Sequence, residues 1–472
     1  MPGPKGMPVF GWRGNALRFF RDPPGYMERL YEEFGPMVRL SPGHNAPLFF
    51  ASPRKDISTF FAFGEGAARR LLSDTDTFQT RQPPGPKAPV YQRLATNLFF
   101  LNGERYRQQK DLMRPWFTRE HLKRYHGDIV DATARMLEAW RQRETVDIGE
   151  EMKQVTLEIS SKTLYGIEAR GSERHLAGMM SAMISALFSP ASMIPLDLPG
   201  TPFRRLVNSM KQIEERLWKE IRAKRDEGFK GHDILTSMAQ VHYESPGELT
   251  EAEMVGEAFT LFFAGHDTAS RGLTWTLFLL AQHPEVAEEL YEELDRELGG
   301  EPPTYEQVFA LPVLDRVVKE SLRVLTPSVV FSRVAAETTS LGGYEIPEGC
   351  EILYSPFVLH RDPAIFEHPK RFDPDRWLDK KPGRFEYLPF GAGMRTCLGA
   401  SFSMVQLRLM IAMIAQSARL ELVEGSRVDL KTHAVIGPKG PMMARVSPQD
   451  QNFNYRPVTV SGEIQGVVEL PN

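Results

Sequence analysis

Cys397, one of only two cysteines, lies in the run Phe390-Gly391-Ala392-Gly393-Met394-Arg395-Thr396-Cys397-Leu398-Gly399, at the start of a long apolar helical pattern. Glycines let a backbone pass close to something flat, and backbone N–H groups that point at sulfur stabilise its negative charge. That is a setting for a thiolate held against a metal. The metal that takes a single cysteine thiolate in a protein is heme iron, where the electron push of the sulfur favours O–O cleavage. The bland alternative is a structural cysteine filling a core gap.

A second constellation is Ala264-Gly265-His266-Asp267-Thr268-Ala269-Ser270, in the middle of a long apolar helical stretch opened by a capping box, Thr250 with Glu253 three residues on. Gly inside a buried helix costs about 1 kcal/mol against Ala. A local rule broken inside a core marks function. Ala264 and Gly265 leave room for a diatomic ligand, the Thr268 hydroxyl can bond back one turn and loosen the ladder, and Asp267 supplies an ionisable group for proton relay. A kinked helix with a satisfied threonine and a surface aspartate is the competing account.

Glu320 and Arg323 stand three apart among Val317, Val318, Leu322, Val324 and Leu325, and a pair buried there needs further partners. Arg376, in Phe372-Asp373-Pro374-Asp375-Arg376-Trp377, is the third member of what reads as a folding clamp. Heme propionates call for cations and hydroxyls. Arg395, Arg333, and Lys110 with Tyr106 are the candidates, each of which alone would more often be a surface charge.

The elements that must position these residues are mainly helical. Periodicity predicts helices over Glu120–Arg143, Gly149–Tyr165, Ser172–Leu187, Pro202–Glu227 and Glu251–Gln282. Strand-like pieces are Val330–Ala335, Tyr344–Ile346, Leu420–Leu422 and Met442–Val446, and Met37–Leu40 with Leu48–Ala51 reads as a hairpin around Ser41-Pro42-Gly43. With no Ser/Gly-rich linker, residues 1–472 read as a single domain. Residues 450–472, with alternation around Val458-Thr459-Val460, form a C-terminal extension that is an edge strand or a loosely held tail.

Composition narrows the function. The 472 residues are 42% hydrophobic and 25% charged, which permits a sizeable core. With 57 basic and 61 acidic residues the net charge is −4, so nucleic acid is not expected as a partner. Two cysteines make no disulfide framework, which fits a reducing, cytoplasmic location. No apolar run is long enough for a signal peptide or membrane span, so no membrane anchor is expected.

Taken together and in order, these motifs resemble the cytochrome P450 family. The cysteine run matches the Phe-x-x-Gly-x-Arg-x-Cys-x-Gly signature through Phe390, Gly393, Arg395, Cys397 and Gly399. Glu320 and Arg323 match Glu-x-x-Arg, Phe372, Pro374 and Arg376 match the later clamp, and Ala264, Gly265, Asp267 and Thr268 match the oxygen-activation helix. The resemblance covers about Pro8 to Val446. Tyr106 and Lys110 stand where the family usually has Trp or His and then Arg, and Ala269 replaces a second hydroxyl residue.

The resemblance implies a mainly α triangular-prism fold with small β-sheets and heme b bound through Cys397, with Phe390, Gly391, Gly399, Ala264 and Gly265 beside it. It implies O2 activation and insertion of one oxygen atom into a small-molecule substrate, with Thr268 and Asp267 delivering protons. Seventy-five residues follow Cys397, too few for a reductase domain, so electrons are expected from a ferredoxin or flavodoxin with its reductase. Arg107, Lys110, Arg114 and Lys123 offer a docking surface, or plain solvated charge. Pocket candidates are Phe99, Phe100, Thr260, Phe263, Val329 and Val330, with Met179, Met180, Met183, Leu187, Phe188 and Met193 as a pliable lid over a lipophilic substrate. A heme protein that binds ligands without oxygenating them, and one that desaturates or couples its substrate, are the alternatives.

Overall fold

The computed structural model describes residues 1–41, 47–49, 57–82, 88–167, 179, 183, 186, 196–432 and 435–471. Helices α1 (Trp12–Arg21) and α2 (Pro23–Phe34) come first, then strands β1 (Met37–Arg39) and β2 (Thr59–Ala62). Asp22 starts α2 by accepting a 3.0 Å hydrogen bond from Gly25 N–H, with prolines pre-set for the first turn. Next come α3 (Glu65–Ser73), β3 (Phe78–Gln79), α4 (Pro89–Leu94), α5 (Gly103–Met113), α6 (Arg119–Trp140), β4 (Thr145–Asp147) and α7 (Ile148–Tyr165). Beyond residue 196 follow α8 (Pro202–Asp226), α9 (Ile234–Glu244), α10 (Glu251–Gln282), α11 (Pro284–Leu298) and α12 (Pro312–Val324). The periodicity thus locates these helices to within a few residues. The stretch Ser172–Leu187 and its methionine-rich lid lie largely outside the described residues, of which 179, 183 and 186 are helical.

Strands β5 (Phe331–Ala335), β6 (Thr339–Leu341), β7 (Tyr344–Ile346) and β8 (Glu351–Tyr354) precede α13 (Ala400–Ser417). The chain continues through β9 (Ala418–Leu422), β10 (Leu430–Thr432), β11 (Ile436–Pro438) and β12 (Met443–Pro448). The chain packs as two compact units. One comprises Met1–Gln79, Thr133–Met152 and Thr268–Asn472 and holds all the strands; the other, Thr80–Ala132 with Lys153–Asp267, is helical. The largest sheet runs β1-β2-β8-β5-β3, and β4-β12-β9 form a second.

The expected N-terminal hairpin is not what β1 makes. Its partner is β2, with Val38 opposite Phe61. The Leu48 and Phe49 N–H groups instead donate to the Glu351 carboxylate at 2.6 and 3.1 Å, and Ala51 lies outside the described residues. Thr59 and Ser332 hydroxyls also donate to Glu351, so this fully buried carboxyl is satisfied from three segments. Burial still raises its pKa against those bonds.

The C-terminal extension is neither an edge strand nor a loose tail. It buries Val460, Ile464 and Val468, a spacing of four, around the 3-10 turn Glu463–Gly466. Two isolated parallel bridges, Arg427 with Ser461 and Arg371 with Glu469, tie it down. The buried Arg361 guanidinium donates to the Val467 carbonyl at 3.1 Å and to Val324 at 2.7 Å. Among the described residues no helix is long and apolar enough to cross a membrane.

Candidate functional site

In the strand-bearing unit the cysteine loop is built on backbone geometry. Gly393 has φ +71°, and a Cβ there would fall 2.1 Å from the Leu72 carbonyl oxygen, so only glycine fits. Gly391 has φ +66°. The Cys397 N–H donates to the Phe390 carbonyl at 2.9 Å and closes the loop, and Gly399 precedes α13 with an ordinary φ of −83°. Cys397 is exposed on this loop. The other cysteine, Cys350, is fully buried in an apolar cluster, and its sulfur accepts from Ser58 N–H.

Arg333 is 5% exposed, on β5, and its guanidinium lies 5.6 Å from the Tyr354 ring centre. Arg395 acts on the same tyrosine: burial raises the Tyr354 pKa, and Arg333 and Arg395 together oppose it. The loop and strand therefore bring two of the proposed propionate cations to one place. Arg333 donates to the Ser332 carbonyl, but its Nε is buried without a partner, and among the described residues no carboxylate pairs with it. A soft exposed thiol on a loop with one half-buried and one buried cation is a donor set that fits an anionic metal macrocycle.

The clamp residues meet. Arg323 holds Glu320 through two 2.9 Å hydrogen bonds, and Arg376 Nε and Trp377 Nε1 donate to the same carboxylate at 3.1 and 2.9 Å. Arg323 also donates to the carbonyls of His360, Pro369 and Arg371. Glu320 and Arg323 are fully buried.

His360 has no counterpart in the motif reading. Its Nε2 accepts a 2.8 Å hydrogen bond from Leu388 N–H, two residues before Phe390, so the proton sits on Nδ1. Burial, with Arg323 and Arg361 adding repulsion, holds its pKa well below the usual histidine range. A neutral imidazole thus joins the clamp to the start of the cysteine loop. Adjacent Arg361 was the available signal, since a His-Arg pair in an apolar stretch is seldom solvated. His360→Phe leaves the Leu388 N–H buried and unbonded, a cost of about 1–3 kcal/mol. The expected result is a lower melting temperature and a smaller fraction of thiolate-type carbon monoxide complex; His360→Gln, whose Oε1 can accept in place of Nε2, recovers both. Equal behaviour of the two variants would sink this role.

Val329 and Val330, two of the pocket candidates, pack at the core. Val329 is fully buried in an apolar cluster with Phe357 and Leu353, its carbonyl accepts from the Ser355 hydroxyl, and Val330 packs against the same cluster. The turn before β5 faces Val329 into the core and leaves Val330 half-buried. Thr268 opens the part of α10 that belongs to this unit and is half-buried.

In the helical unit the capping box forms: Glu253 N–H donates to Thr250 Oγ1 at 3.3 Å, and Thr250 N–H to Glu253 at 2.9 Å. Arg105 adds a two-pronged ion pair at 2.5 Å. Although burial works to raise it, Arg105 and Thr250 hold the Glu253 pKa below its ordinary value. The helix is unbroken through Ala264–Ser270, so the expected loosening does not interrupt it. The space at Gly265 is taken by Leu164 of α7, whose Cδ1 would lie 2.7 Å from an added Cβ. Helix packing by itself asks for glycine there. Ala264 and Asp267 are half-buried, and Thr260 is 8% exposed. Phe99 pairs with Phe100 and edge-on with Phe263, each at 6.3 Å, which brings three pocket candidates together. On α5, Lys110 Nζ lies 5.7 Å from the ring of buried Tyr106. Arg107 and Arg114 pair with Glu104 and Asp111.

Solved structures show the class. Retinoic acid-bound cyanobacterial CYP120A1 superposes with a TM-score of 0.81 at 24% identity, covering 95% of this chain and 98% of that one. The heme domain of cytochrome P450DA gives 0.82, also at 24% identity, over 96% and 98%. These likenesses show the fold, mainly α with small sheets.

The cytochrome P450 family model matches residues 1–445, and the chain belongs to that family. It is similar to cyclooctatin synthase of Streptomyces melanosporofaciens, 30% identical over 90% of this chain and 91% of the relative. Pentalenene oxygenase of Streptomyces avermitilis is 29% identical over 67% and 72%, and human lanosterol 14-alpha demethylase 27% over 87% and 80%. The protein is a cytochrome P450 monooxygenase; its cofactor is heme, and it uses O2, a substrate and redox partners.

Proposed function

We propose that the chain oxygenates a polycyclic, lipophilic substrate of the terpenoid or sterol kind, with Cys397 as the residue that would hold the iron of heme b. The observation that carries the ligand assignment is the exposed thiol on a loop that only glycine geometry permits, in contrast to buried Cys350. Arg333 and Arg395, with Tyr106 and Lys110, bind the propionates as charge-assisted donors. When bound, heme supplies the iron at which O2 is reduced and one oxygen atom passes to substrate. Thr268 holds a proton at its hydroxyl and Asp267 exchanges protons at its carboxylate, at consecutive α10 positions occupied against helix propensity. Phe99, Phe100, Phe263 and Thr260 orient an apolar substrate and exclude water. Relatives named for pentalenene and lanosterol support the substrate class. Residues 1–472 act as one catalytic domain in the cytoplasm, which a chain of only two cysteines suits, and a ferredoxin or flavodoxin with its reductase delivers electrons, with Arg107, Lys110, Arg114 and Lys123 as docking candidates.

The test is optical. The reduced protein should show a carbon monoxide difference band at about 450 nm, and Cys397→Ala should abolish it. A band that survives this substitution would remove Cys397 from its role. Terpenoid ligands should then shift the ferric spectrum to high spin, and product analysis separates oxygenation from desaturation or coupling. Failure of every terpenoid and sterol to shift it would overturn the substrate class while leaving the ligand assignment intact.

A further inference from the structure

Large apolar side chains are exposed in an unusual concentration near the N-terminus: Val9 at 86%, Phe10 at 55%, Leu17 at 62% and Phe20 at 50%. Arg13, Leu17 and Phe20 stand at i, i+4 and i+7 on the outer face of α1. The opposite face is fastened: Phe19 is fully buried against Tyr26 and Phe61, and buried Asn15 donates to the Leu40 carbonyl at 3.0 Å. The helix cannot turn its apolar residues inward without losing those contacts.

Charge singles out the same segment. Residues 1–21 contain Lys5, Arg13, Arg18 and Arg21 and no Asp or Glu, so the segment carries +4 in a chain of net −4. All four cations are exposed. Apolar side chains flanked by snorkelling arginines, with no acid among them, match the interfacial zone of a bilayer whose headgroups are anionic.

We propose that this face is a peripheral docking surface for anionic membrane lipid. Val9, Phe10, Leu17 and Phe20 enter the headgroup–acyl boundary, while Arg13, Arg18 and Arg21 meet lipid phosphates. A second copy of the chain suits the face poorly. A twofold interface would place the same patch on both sides and set these cations against their own like. Docking here would draw the enzyme to the phase in which a lipophilic substrate collects.

Co-sedimentation of the full-length holoenzyme with lipid vesicles tests this. Binding is expected to phosphatidylcholine vesicles containing about 30% phosphatidylglycerol, weakening with salt, and not to phosphatidylcholine alone. At about fivefold per cation, R13Q/R18Q/R21Q should weaken binding about a hundredfold. L17S/F20S should weaken it at least tenfold. Both variants should keep the melting temperature and heme spectrum, because the altered side chains are exposed. The proposal is overturned if the wild type ignores anionic vesicles at low salt, or if neither variant changes its binding. It is equally overturned if L17S/F20S dissolves a dimer seen by sedimentation velocity, or if both variants weaken association with a redox protein while vesicle binding stays intact.

Discussion

Arg323→Ala should prevent accumulation of a folded, heme-loaded protein. The substitution strands the Glu320 carboxylate in a fully buried site and removes the donor shared by the His360, Pro369 and Arg371 carbonyls. Removing one partner of a buried pair typically costs about 3–5 kcal/mol. That is a large share of the roughly 5–15 kcal/mol by which native proteins are stable. Arg323→Lys should rescue little, because a point charge cannot reproduce five donors in a planar fork. Arg376→Ala should cost less, since Arg323, Trp377 and the Asp373 N–H still satisfy Glu320. Denaturant unfolding of the three variants, with heme content, checks the order. Arg323→Ala matching the wild type would show the clamp to be dispensable.

Glu257→Gln should change how stability depends on pH. Glu257 lies fully buried on α10, four residues after Glu253. Burial pushes its pKa up from 4.5 to about 8, the Leu98 backbone partly opposing this and the Glu253 carboxylate adding to it. Below pH 4.5 folded and unfolded chains both hold the proton. Between 4.5 and about 8 only the folded chain does, so stability falls as pH rises through that window and levels off above it. The fall attributable to this group is roughly 4 kcal/mol by pH 8. Glutamine keeps the shape without the ionisation, so Glu257→Gln should be the more stable protein at pH 8 and close to wild type at pH 5. Paired unfolding curves at those pH values decide it. Parallel losses in the two proteins would mean that Glu257 is ionised in the native state.

Much of the fold was legible from local pattern. The Thr250–Glu253 box and the apolar run behind it place the start of α10, and the spacing of Glu320, Arg323 and Arg376 foretells a buried network because three charges among valines and leucines must find each other. The Phe390–Gly399 run likewise marks its own loop, since a backbone at positive φ against Leu72 demands glycine where glycine stands.

Other features depend on partners distant in sequence. Nothing near Gly265 names Leu164, nothing near Val329 separates a core face from a pocket face, and nothing near Leu388 points to His360. The tail is the clearest case: alternation at Val458–Val460 suggests a strand, yet side chains four apart are buried because the surface around Arg361 and Val428 offers hydrogen bonds and apolar cover there. Sequence alone thus determined the chemistry on offer, a glycine-flanked thiol, an Asp-Thr pair inside a long helix and a charged clamp, because residue type and short-range spacing carry it. Tertiary structure decided which glycine makes way for a helix, which valine is core and what anchors the cysteine loop. Those outcomes depend on which surfaces meet, and long-range burial is not written in any local period.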